Sequence, residues 1–321
     1  MNIVRRTSER AISLLEAAFV RAARLRNRHP PLFVVGVPRS GTTALYLHLA
    51  NQFRFAYIPN VAKRHPYACV AATAAARLRH RYRPTYDHAY GAVDGPLAPS
   101  DGWDVFLRWF PRYDHDALVA KDRLHELRTL VRLFEALFRA PFLNKNNGNS
   151  VRIRALRSVF PEARFIHIRR DPSDTVISLL EARRAHGVAL NEWWSASPPQ
   201  FHEQHFEDVV EQTVHQVWGI DRAVCEAFAA VAPELQMSID YEEFCARPRA
   251  VEGWVESSYR AAGVTLERRS PRPTVRLRSR SRHAVAPDLA RRIGSILDRL
   301  ERQAAEEASR VDRSPAAGGA G

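Results

Sequence analysis

The sequence predicts an α/β fold in which helices cover both faces of a parallel β-sheet. Short apolar runs rich in β-branched residues, the pattern of buried strands, alternate along the chain with segments of helical periodicity. The first run, 32–36 (LFVVG), enters a loop rich in Gly and Thr, after which residues 42–53 have helical spacing. This order of strand, loop and helix is typical of a P-loop-type sheet. We therefore expect one α/β domain of that type with helical insertions.

The composition indicates a globular protein that favours anionic partners. Its 321 residues fit one domain with insertions, and 45% hydrophobic residues are enough for a substantial core. The formal net charge of +13 favours nucleotides, nucleic acid, acidic glycans or a lipid surface. An arginine-rich proteome explains the charge equally well, so the charge alone selects no partner.

Cysteine usage and hydropathy bear on location. The three cysteines, Cys69, Cys225 and Cys245, are far apart and have no metal-ligand spacing, which predicts a reducing compartment and no metal site. No apolar run approaches the roughly 20 residues that cross a bilayer. The N-terminus also lacks the order of a secretion signal. We therefore expect a cytoplasmic protein.

The first part of the chain begins with a basic amphipathic pattern. Residues 7–26 are expected to form a helix that either packs on the domain or makes a peripheral contact with an acidic membrane surface, so residues 1–30 are a separate N-terminal element. The later pattern predicts a strand at 54–58, a helix at 67–80, a long loop, and an amphipathic helix at 117–139 that ends before Pro141.

The second part alternates between strands and helices. Pro172 opens a helix at its first turn, where the missing N–H of proline costs nothing. Residues 268–282 are densely basic, and residues 307–321 have the composition of a disordered tail. The strands are expected at 141–144, 164–168 and 235–239, and the helices at 150–159, after Pro172, and at 207–231, 248–262 and 287–306.

The loop 36–43 (GVPRSGTT) has the features of an anion-binding site. It follows a predicted strand and opens a predicted helix, so backbone N–H groups and the positive helix terminus point at one place. Thr42 stands where the ATP-binding loop GxxxxGK[ST] has its lysine, which weakens a kinase hypothesis. The residues expected to contact the anion are Pro38, Arg39, Ser40, Gly41, Thr42 and Thr43.

A second basic motif lies at 165–178 (FIHIRRDPSDTVIS). Arg169 and Arg170 follow a buried strand, and ligands of open α/β sheets bind where strands end. Ser178 comes eight residues after Arg170, about two turns along the following helix. These residues are therefore well placed to hold another anionic group.

These motifs resemble those of sulfotransferases that use 3′-phosphoadenosine 5′-phosphosulfate (PAPS), in particular the bacterial and tyrosylprotein branches. PRSGTT resembles the 5′-phosphosulfate loop, and Arg170 before Asp-Pro with Ser178 resembles the 3′-phosphate motif. Residues 143–146 (LNKN) resemble the segment that carries a lysine near the transferred group, and 239–244 (IDYEEF) is similar to a strand–helix junction of the family. The resemblance covers residues 32–262 and implies a sulfotransferase domain at 31–306.

The resemblance implies transfer of a sulfuryl group from PAPS, as co-substrate, to a hydroxyl or amine acceptor by in-line displacement without a metal. Arg39 and Lys145 would then stabilise the charge that grows on the bridging oxygen. Residues 38–43 would hold the 5′-phosphosulfate, and Arg170 with Ser178 would hold the 3′-phosphate.

The general base and the acceptor stay open. The family's tyrosylprotein branch has a glutamate about twenty residues after the loop arginine, but here residues 57–65 contain no carboxylate. His65 is the nearest titratable base, and Asp101, with Asp104 beside it, is the alternative. Trp193 and Trp194 either form an aromatic wall for an acceptor or anchor their own loop on the core. A small molecule, a glycan, a glycolipid and a protein tyrosine all fit as acceptor, and the oligomeric state is undetermined.

Two other classes of function share some of these features. A nucleotide-dependent kinase has the same fold and loop shape, but needs a lysine at position 42. A non-enzymatic protein that binds nucleic acid or a membrane surface would account for the charge and for residues 7–26. Because the sequence contains no recognised nucleic-acid-binding motif, we expect no specific nucleic-acid partner.

Overall fold

The computed structural model describes residues 29–88, 91–110, 121–270 and 286–313, with side chains for all of these except 121–123 and 310–313. The amphipathic pattern at 7–26, most of the basic segment and the last residues of the tail lie outside the described residues. Within the described ranges, none of the helices combines the length and the apolar character that a membrane span requires.

Four parallel strands form the sheet of the described part. They are β1 (Leu32–Val35), β2 (Leu143–Lys145), β3 (Arg164–Arg169) and β4 (Gln236–Asp240), in the spatial order β2-β1-β3-β4. The central position of β1 puts the loop that follows it between the ends of two neighbouring strands. The expected strand at 54–58 is wrong, because this segment contributes only a single parallel bridge between Ala56 and Phe142.

The helices of the described residues follow the expected alternation, with differences at their ends. The segment expected as one helix at 150–159 is a 3₁₀ helix, Asn147–Val151, followed by a separate α-helix. The last helix continues past residue 306, so the expected tail begins in helix rather than in disorder. The α-helices are α1 (Thr42–Gln52), α2 (Val61–Arg64), α3 (Cys69–Arg77), α4 (Trp103–Phe106), α5 (Lys121–Phe138), α6 (Ile153–Val159), α7 (Pro172–Ala185), α8 (Val209–Phe228), α9 (Tyr241–Ala246), α10 (Pro248–Ala261) and α11 (Pro287–Arg313).

Side chains of β1 alternate between two apolar cores, which confirms helices on both faces. Phe33 and Val35 pack in the core that α5, α6 and α8 cover, whereas Leu32 and Val34 pack in the core beneath α1 and α10. All four residues of β1 are buried. A short run that is apolar on both sides is the pattern of a central parallel strand, as the sequence predicted.

The parallel arrangement brings four chain segments to one edge of the sheet. The loop after β1, the 3₁₀ helix after β2, Arg170 after β3 and Tyr241 after β4 all follow the carboxyl ends of their strands. In open α/β sheets, ligands bind at this edge. The functional residues expected from the two basic motifs therefore lie where the fold can bring them together.

Candidate active site

Two serines hold the loop after β1 against its neighbours. The Gly36 N–H donates to Ser150 Oγ (2.9 Å), and the same hydroxyl donates to Gly36 O (2.9 Å). Ser40 Oγ donates to Ile168 O of β3 (3.1 Å). Gly36 has φ +150°, and a Cβ there would lie 2.5 Å from Ile168 O, so the close approach of the loop to β3 requires glycine.

The start of α1 has the features of an anion-binding site. Gly41 stands before the first residue of α1 with φ +100° and gives the helix no side-chain cap, and the first turn has no acidic residue. Unsatisfied N–H groups at a helix N-terminus attract negative charge. Thr42 and Thr43 add hydroxyls at this place. The ring of Tyr241 closes the other side, since a Cβ at Gly41 would lie 2.3 Å from Tyr241 Cδ2.

The structure brings the two basic motifs of the sequence into direct contact. Arg39, which has φ +74°, donates from Nε to Ser178 Oγ at 3.1 Å. The Arg170 guanidinium approaches Arg39 O at 3.5 Å and lies over the Tyr241 ring, 5.4 Å from its centroid. Residues more than 130 positions apart thus form one cluster, in which Arg39 points toward Ser178.

Asp171 and Pro172 fix the direction of α7 and so the position of Ser178. Asp171 Oδ1 accepts a hydrogen bond from Asp174 N (2.9 Å) and caps the helix, and Pro172 occupies the first turn as the sequence predicted. Ser178 is buried two turns further along, on the side that faces Arg39.

Lys145, at the end of β2, is a buried cation close to other charges. Its side chain is 6% exposed. Burial lowers the pKa of Lys145, the Asp101 carboxylate acts to raise it, and the positive charges of Arg39 and Lys63 act to lower it further. The charges of Arg39 and Asp101 therefore both act on Lys145.

Asp101, one of the two candidate bases, is tied to the end of β2. Its backbone carbonyl accepts from Asn144 Nδ2 (3.2 Å) and Asn146 Nδ2 (3.3 Å), and Lys63 Nζ lies 4.0 Å from its Oδ1. The carboxyl group of Asp101 also accepts from the N–H of Trp103 and so fixes the start of α4. Burial raises the pKa of Asp104, and the nearby charge of Asp101 adds to the effect.

The other candidate base lies at the end of a short helix. His65 is half-buried and follows α2, and its backbone N–H donates to Ala62 O (3.1 Å). The described contacts thus connect Asp101 to the strand that carries Lys145.

Sequence reasoning missed a group of amide side chains at this edge. Asn147 accepts from Thr42 Oγ1 (3.3 Å) and donates to Ser195 Oγ (2.9 Å). It thereby links the loop 36–43, which we call the anion loop, to the loop that follows α7. Asn149 donates to Asn144 Oδ1 (2.9 Å). The sequence NKNNGNS at the end of a strand, with four asparagines in six residues, could have indicated such a group.

Trp193 anchors its own loop and does not line an open acceptor site. Its side chain is 7% exposed, its indole N–H donates to His202 O (3.2 Å), and its ring packs on Phe206. Trp194 packs against His186, and its carbonyl accepts from Gln216. Of the two roles expected for this pair, the structure supports the anchor.

A cavity of about 850 Å³ opens beside the anion loop. This volume is in the range of small-molecule sites. Asp221 and Cys225 line the cavity, and His167 Nε2 lies 3.1 Å from Asp221 Oδ1. These three side chains bring potential metal-ligand atoms within 4.8 Å of one another. Sequence spacing gave no sign of this trio. The cavity is lined by Ser40 of the loop, by Arg169, Arg170, Asp171 and Thr175 around the second motif, and by side chains of α8, α9 and α11.

The fold is that of a P-loop-type α/β protein, with a loop rich in Gly and Thr and a second basic motif at the ends of its strands. The model of the sulfotransferase family matches residues 30–268, which is well over half of the chain. The chain therefore belongs to the sulfotransferase family. No curated protein is similar enough in sequence to match.

The comparison with solved structures found bacterial sulfotransferases at low sequence identity. Sulfotransferase STF9 from Mycobacterium avium is 16% identical, with a TM-score of 0.50 over 77% of this chain and 71% of that chain. STF1 from Mycobacterium tuberculosis H37Rv is 16% identical, with a TM-score of 0.48 over 79% of this chain and 73% of that chain. A sulfotransferase from Alicyclobacillus acidocaldarius is 18% identical, with a TM-score of 0.41 over 84% and 95% of the two chains. The likeness to STF9 shows the fold that the sequence predicted.

Proposed function

We propose that this sulfotransferase takes its sulfuryl group from PAPS and gives it to a hydroxyl or amine acceptor, releasing adenosine 3′,5′-bisphosphate. The observation that carries the proposal is the contact of Arg39 with Ser178 and Arg170. It joins the loop suited to a 5′-phosphosulfate to the arginine–serine pair suited to a 3′-phosphate. A donor with anionic groups at both ends of its ribose matches this pair of adjacent anion sites.

Arg170 and Ser178 hold the 3′-phosphate in this proposal. The Arg170 side chain is 8% exposed and its guanidinium is a forked donor, which suits phosphate oxygens. The Ser178 hydroxyl accepts from Arg39 and adds a donor of its own. Arg39 thus connects the two anion sites, so we assign the cation at the bridging oxygen chiefly to Lys145.

Residues Pro38 to Thr43 hold the 5′-phosphosulfate. The backbone N–H groups at the start of α1 are aimed at the sulfuryl-bearing phosphate, and the hydroxyls of Thr42 and Thr43 supplement them. None of these donors needs a metal ion, because the developing charge falls on oxygens that already face N–H groups and cations.

The reaction follows from this placement. The acceptor oxygen attacks sulfur, the bond between sulfur and the bridging oxygen breaks, and the electron pair stays on the departing bisphosphate. Lys145 stabilises that charge, and the lowered pKa of its ammonium makes it a better proton donor to the leaving oxygen. The acceptor proton passes to Asp101, which we favour because its carboxylate acts on Lys145 and its backbone is tied to the end of β2.

The general base can be tested with two variants that control for each other. If Asp101 is the base, Asp101→Asn lowers kcat by roughly 100-fold or more, whereas His65→Gln changes it only a few-fold. The Asn variant retains the shape of the side chain. A large loss in His65→Gln with a normal Asp101→Asn would move the assignment to His65.

Lys145 offers a test of the whole reaction. The full chain is incubated with PAPS and EDTA and with phenols, alkyl alcohols, glycosides and glycolipids in turn, and sulfated product and bisphosphate are measured by mass spectrometry. Lys145→Met is expected to lower turnover by roughly 100- to 1,000-fold while binding of the bisphosphate changes only a few-fold. Transfer of phosphate from Mg-ATP to any acceptor, with none from PAPS, would contradict the proposal.

The kinase hypothesis and the non-enzymatic hypothesis are not favoured. Thr42 leaves the loop without the lysine of ATP-binding loops, and the family match indicates a sulfotransferase. The acceptor as a small molecule or a glycan, and a cytoplasmic location, stay predictions.

A further inference from the structure

The structure contains a second basic surface. It lies at the end of the sheet opposite to the anion loop of residues 36–43, which is also the donor loop of the proposed function. We propose that it docks the protein on an anionic phospholipid surface, with a lipid phosphate in its cleft. We name it the 77–83 surface. It consists of residues 77–83 (RLRHRYR), which begin at the last residue of α3, and the cleft beside them. The proposal does not depend on the use of PAPS, since it concerns a different part of the molecule.

The cleft of the 77–83 surface has a volume of about 360 Å³ and a positive lining. Among the described residues that line it, none is acidic. Arg54 pairs with Glu267 beside the cleft at 2.6 Å, whereas Arg77, Arg81 and Arg269 form no ion pair with a carboxylate of the described residues. The basic residues of the lining are Arg54, Arg77, His80, Arg81 and Arg269.

Two of these arginines are held in place by groups that do not neutralise them. Arg269 Nε donates to the carbonyls of Ala50 (2.8 Å) and Phe53 (3.2 Å) at the end of α1. The Arg77 guanidinium lies over the Phe138 ring, 4.5 Å from its centroid. Backbone carbonyls and an aromatic ring therefore orient positive charge around the cleft without cancelling it, which suits a phosphate group.

Leu78 adds an apolar point to this charged surface. It is 88% exposed, the most exposed large hydrophobic side chain of the described residues, whereas the next, Leu190, is 41% exposed. Leu78 stands between Arg77 and Arg79, and residues 77–83 include four arginines, one histidine and no carboxylate. A leucine flanked by arginines can enter the acyl boundary of a membrane while the arginines meet lipid phosphates.

This combination favours a lipid surface over other polyanions. A soluble phosphate compound would use the cleft but would leave Leu78 in water. Nucleic acid would use the arginines and would likewise gain nothing from an aliphatic side chain. An anionic membrane surface satisfies the cleft, the flanking arginines and Leu78 together.

The location of the surface leaves the donor loop uncovered. Arg54 follows the end of α1, and the eleven residues of α1 separate it from the donor loop by about 16 Å at 1.5 Å per residue. Ala140, which also lines the cleft, precedes the amino end of β2. Docking through the 77–83 surface therefore presents the opposite edge of the sheet, with its anion sites, away from the membrane.

Vesicle sedimentation of the full chain tests the proposal. We expect binding to vesicles of phosphatidylcholine with phosphatidylglycerol and weak binding to phosphatidylcholine alone. Replacing Arg77, Arg79 and Arg81 together by Gln is expected to lower partition about 100-fold, from roughly fivefold per arginine near an anionic surface. Leu78→Ser is expected to lower it about fivefold by removing the apolar contact.

Charge-matched controls separate a local contact from the general attraction of a basic protein. Arg184, Arg247 and Arg291 are exposed and lie outside the 77–83 surface, so their triple replacement by Gln removes the same charge and is expected to change partition only a few-fold. Leu190→Ser is the control for the apolar contact. Thermal unfolding midpoints verify that every variant is folded.

Three results would overturn the proposal. The first is the absence of binding that depends on phosphatidylglycerol. The second is an equal loss in the two triple variants, or no loss in Leu78→Ser, which would assign any binding to another part of the chain. The third is a loss of glycerol 1-phosphate binding in the first triple variant while vesicle binding is unchanged, which would make the cleft a site for a free anion.

Discussion

Replacing Gly41 with alanine tests whether the start of α1 is shaped as the account of the donor loop requires. The backbone of Gly41 has φ +100°, which costs a residue with a Cβ about 1–2 kcal/mol. The added methyl group would also lie 2.3 Å from Cδ2 and 2.8 Å from Cε2 of Tyr241. Forcing the ring aside is an overpacking change of about 1–3 kcal/mol. Gly41→Ala should therefore lower the free energy of unfolding by about 2–5 kcal/mol.

Urea unfolding and calorimetric titration with adenosine 3′,5′-bisphosphate measure the two consequences. For a loss of about 3 kcal/mol and an m-value of about 3 kcal/mol per molar, the urea midpoint falls by about 1 M. Because the first N–H groups of α1 move with Gly41, we expect the bisphosphate to bind at least about tenfold more weakly. In a Tyr241→Ala background the collision is absent, so only the cost of the backbone conformation should remain.

Gly253→Ala is the matched control. Gly253 lies inside α10, and a Cβ there meets nothing within 4 Å. Alanine is the better helix former by about 0.8–1 kcal/mol, so this variant should be slightly more stable and should bind the bisphosphate normally. If Gly41→Ala behaves like Gly253→Ala in both assays, the described geometry of the loop is wrong.

Two further predictions concern single side chains. Ser178→Ala removes the buried hydroxyl that accepts from Arg39. Calorimetry should therefore show that adenosine 3′,5′-bisphosphate binds about tenfold more weakly, whereas binding of 5′-AMP, which has no 3′-phosphate, is unchanged. An equal loss for both ligands would contradict the 3′-phosphate assignment. The hydrogen bond from His48, opposed by burial and aided by Arg268, lowers the pKa of Glu252 to about 2. The stabilisation by ionised Glu252 is complete above the unfolded pKa of about 4.5 and is lost as pH falls toward 2; it amounts to at most about 3 kcal/mol and nearer 1–2 kcal/mol after solvent screening. Urea unfolding of Glu252→Gln should therefore show a smaller loss of stability between pH 5 and pH 2 than the parent protein. An identical pH dependence of the two proteins would refute the pairing.

The sequence could predict the strands and motifs whose residues are close in the chain. The run LFVVG, the helix that opens at Pro172 and the pair of Arg170 and Ser178 are local patterns with a local physical cause, and the structure places them as expected. The apolar residues at 54–58 were wrongly predicted to form a strand, because β-propensity does not show whether a neighbouring strand is available to pair with them. Backbone hydrogen bonds of this segment are shared among four residues, Ser100, Pro141, Leu143 and Glu267, and the segment makes one bridge rather than a ladder.

Local sequence patterns could not predict contacts between segments that are distant in the chain. The hydrogen bond from Thr42 to Asn147 spans 105 residues, and it places a previously unassigned asparagine at the anion loop. The direction of Arg39 was also unforeseen, since a positive φ turns its side chain toward Ser178. The burial of Trp193 depends on a loop whose conformation no periodicity describes.

Binding of adenosine 3′,5′-bisphosphate is the most direct test of the donor site. The purified full chain is titrated by calorimetry without magnesium, in parallel with ATP. The titration is repeated with Arg170→Ala and with Arg184→Ala, which replaces an exposed arginine of α7, the helix that begins two residues after Arg170. We predict tight binding that ATP does not match, a loss of at least about tenfold in Arg170→Ala, and no change in Arg184→Ala. No binding of the bisphosphate, or tighter binding of ATP, would contradict the assignment of PAPS as the donor.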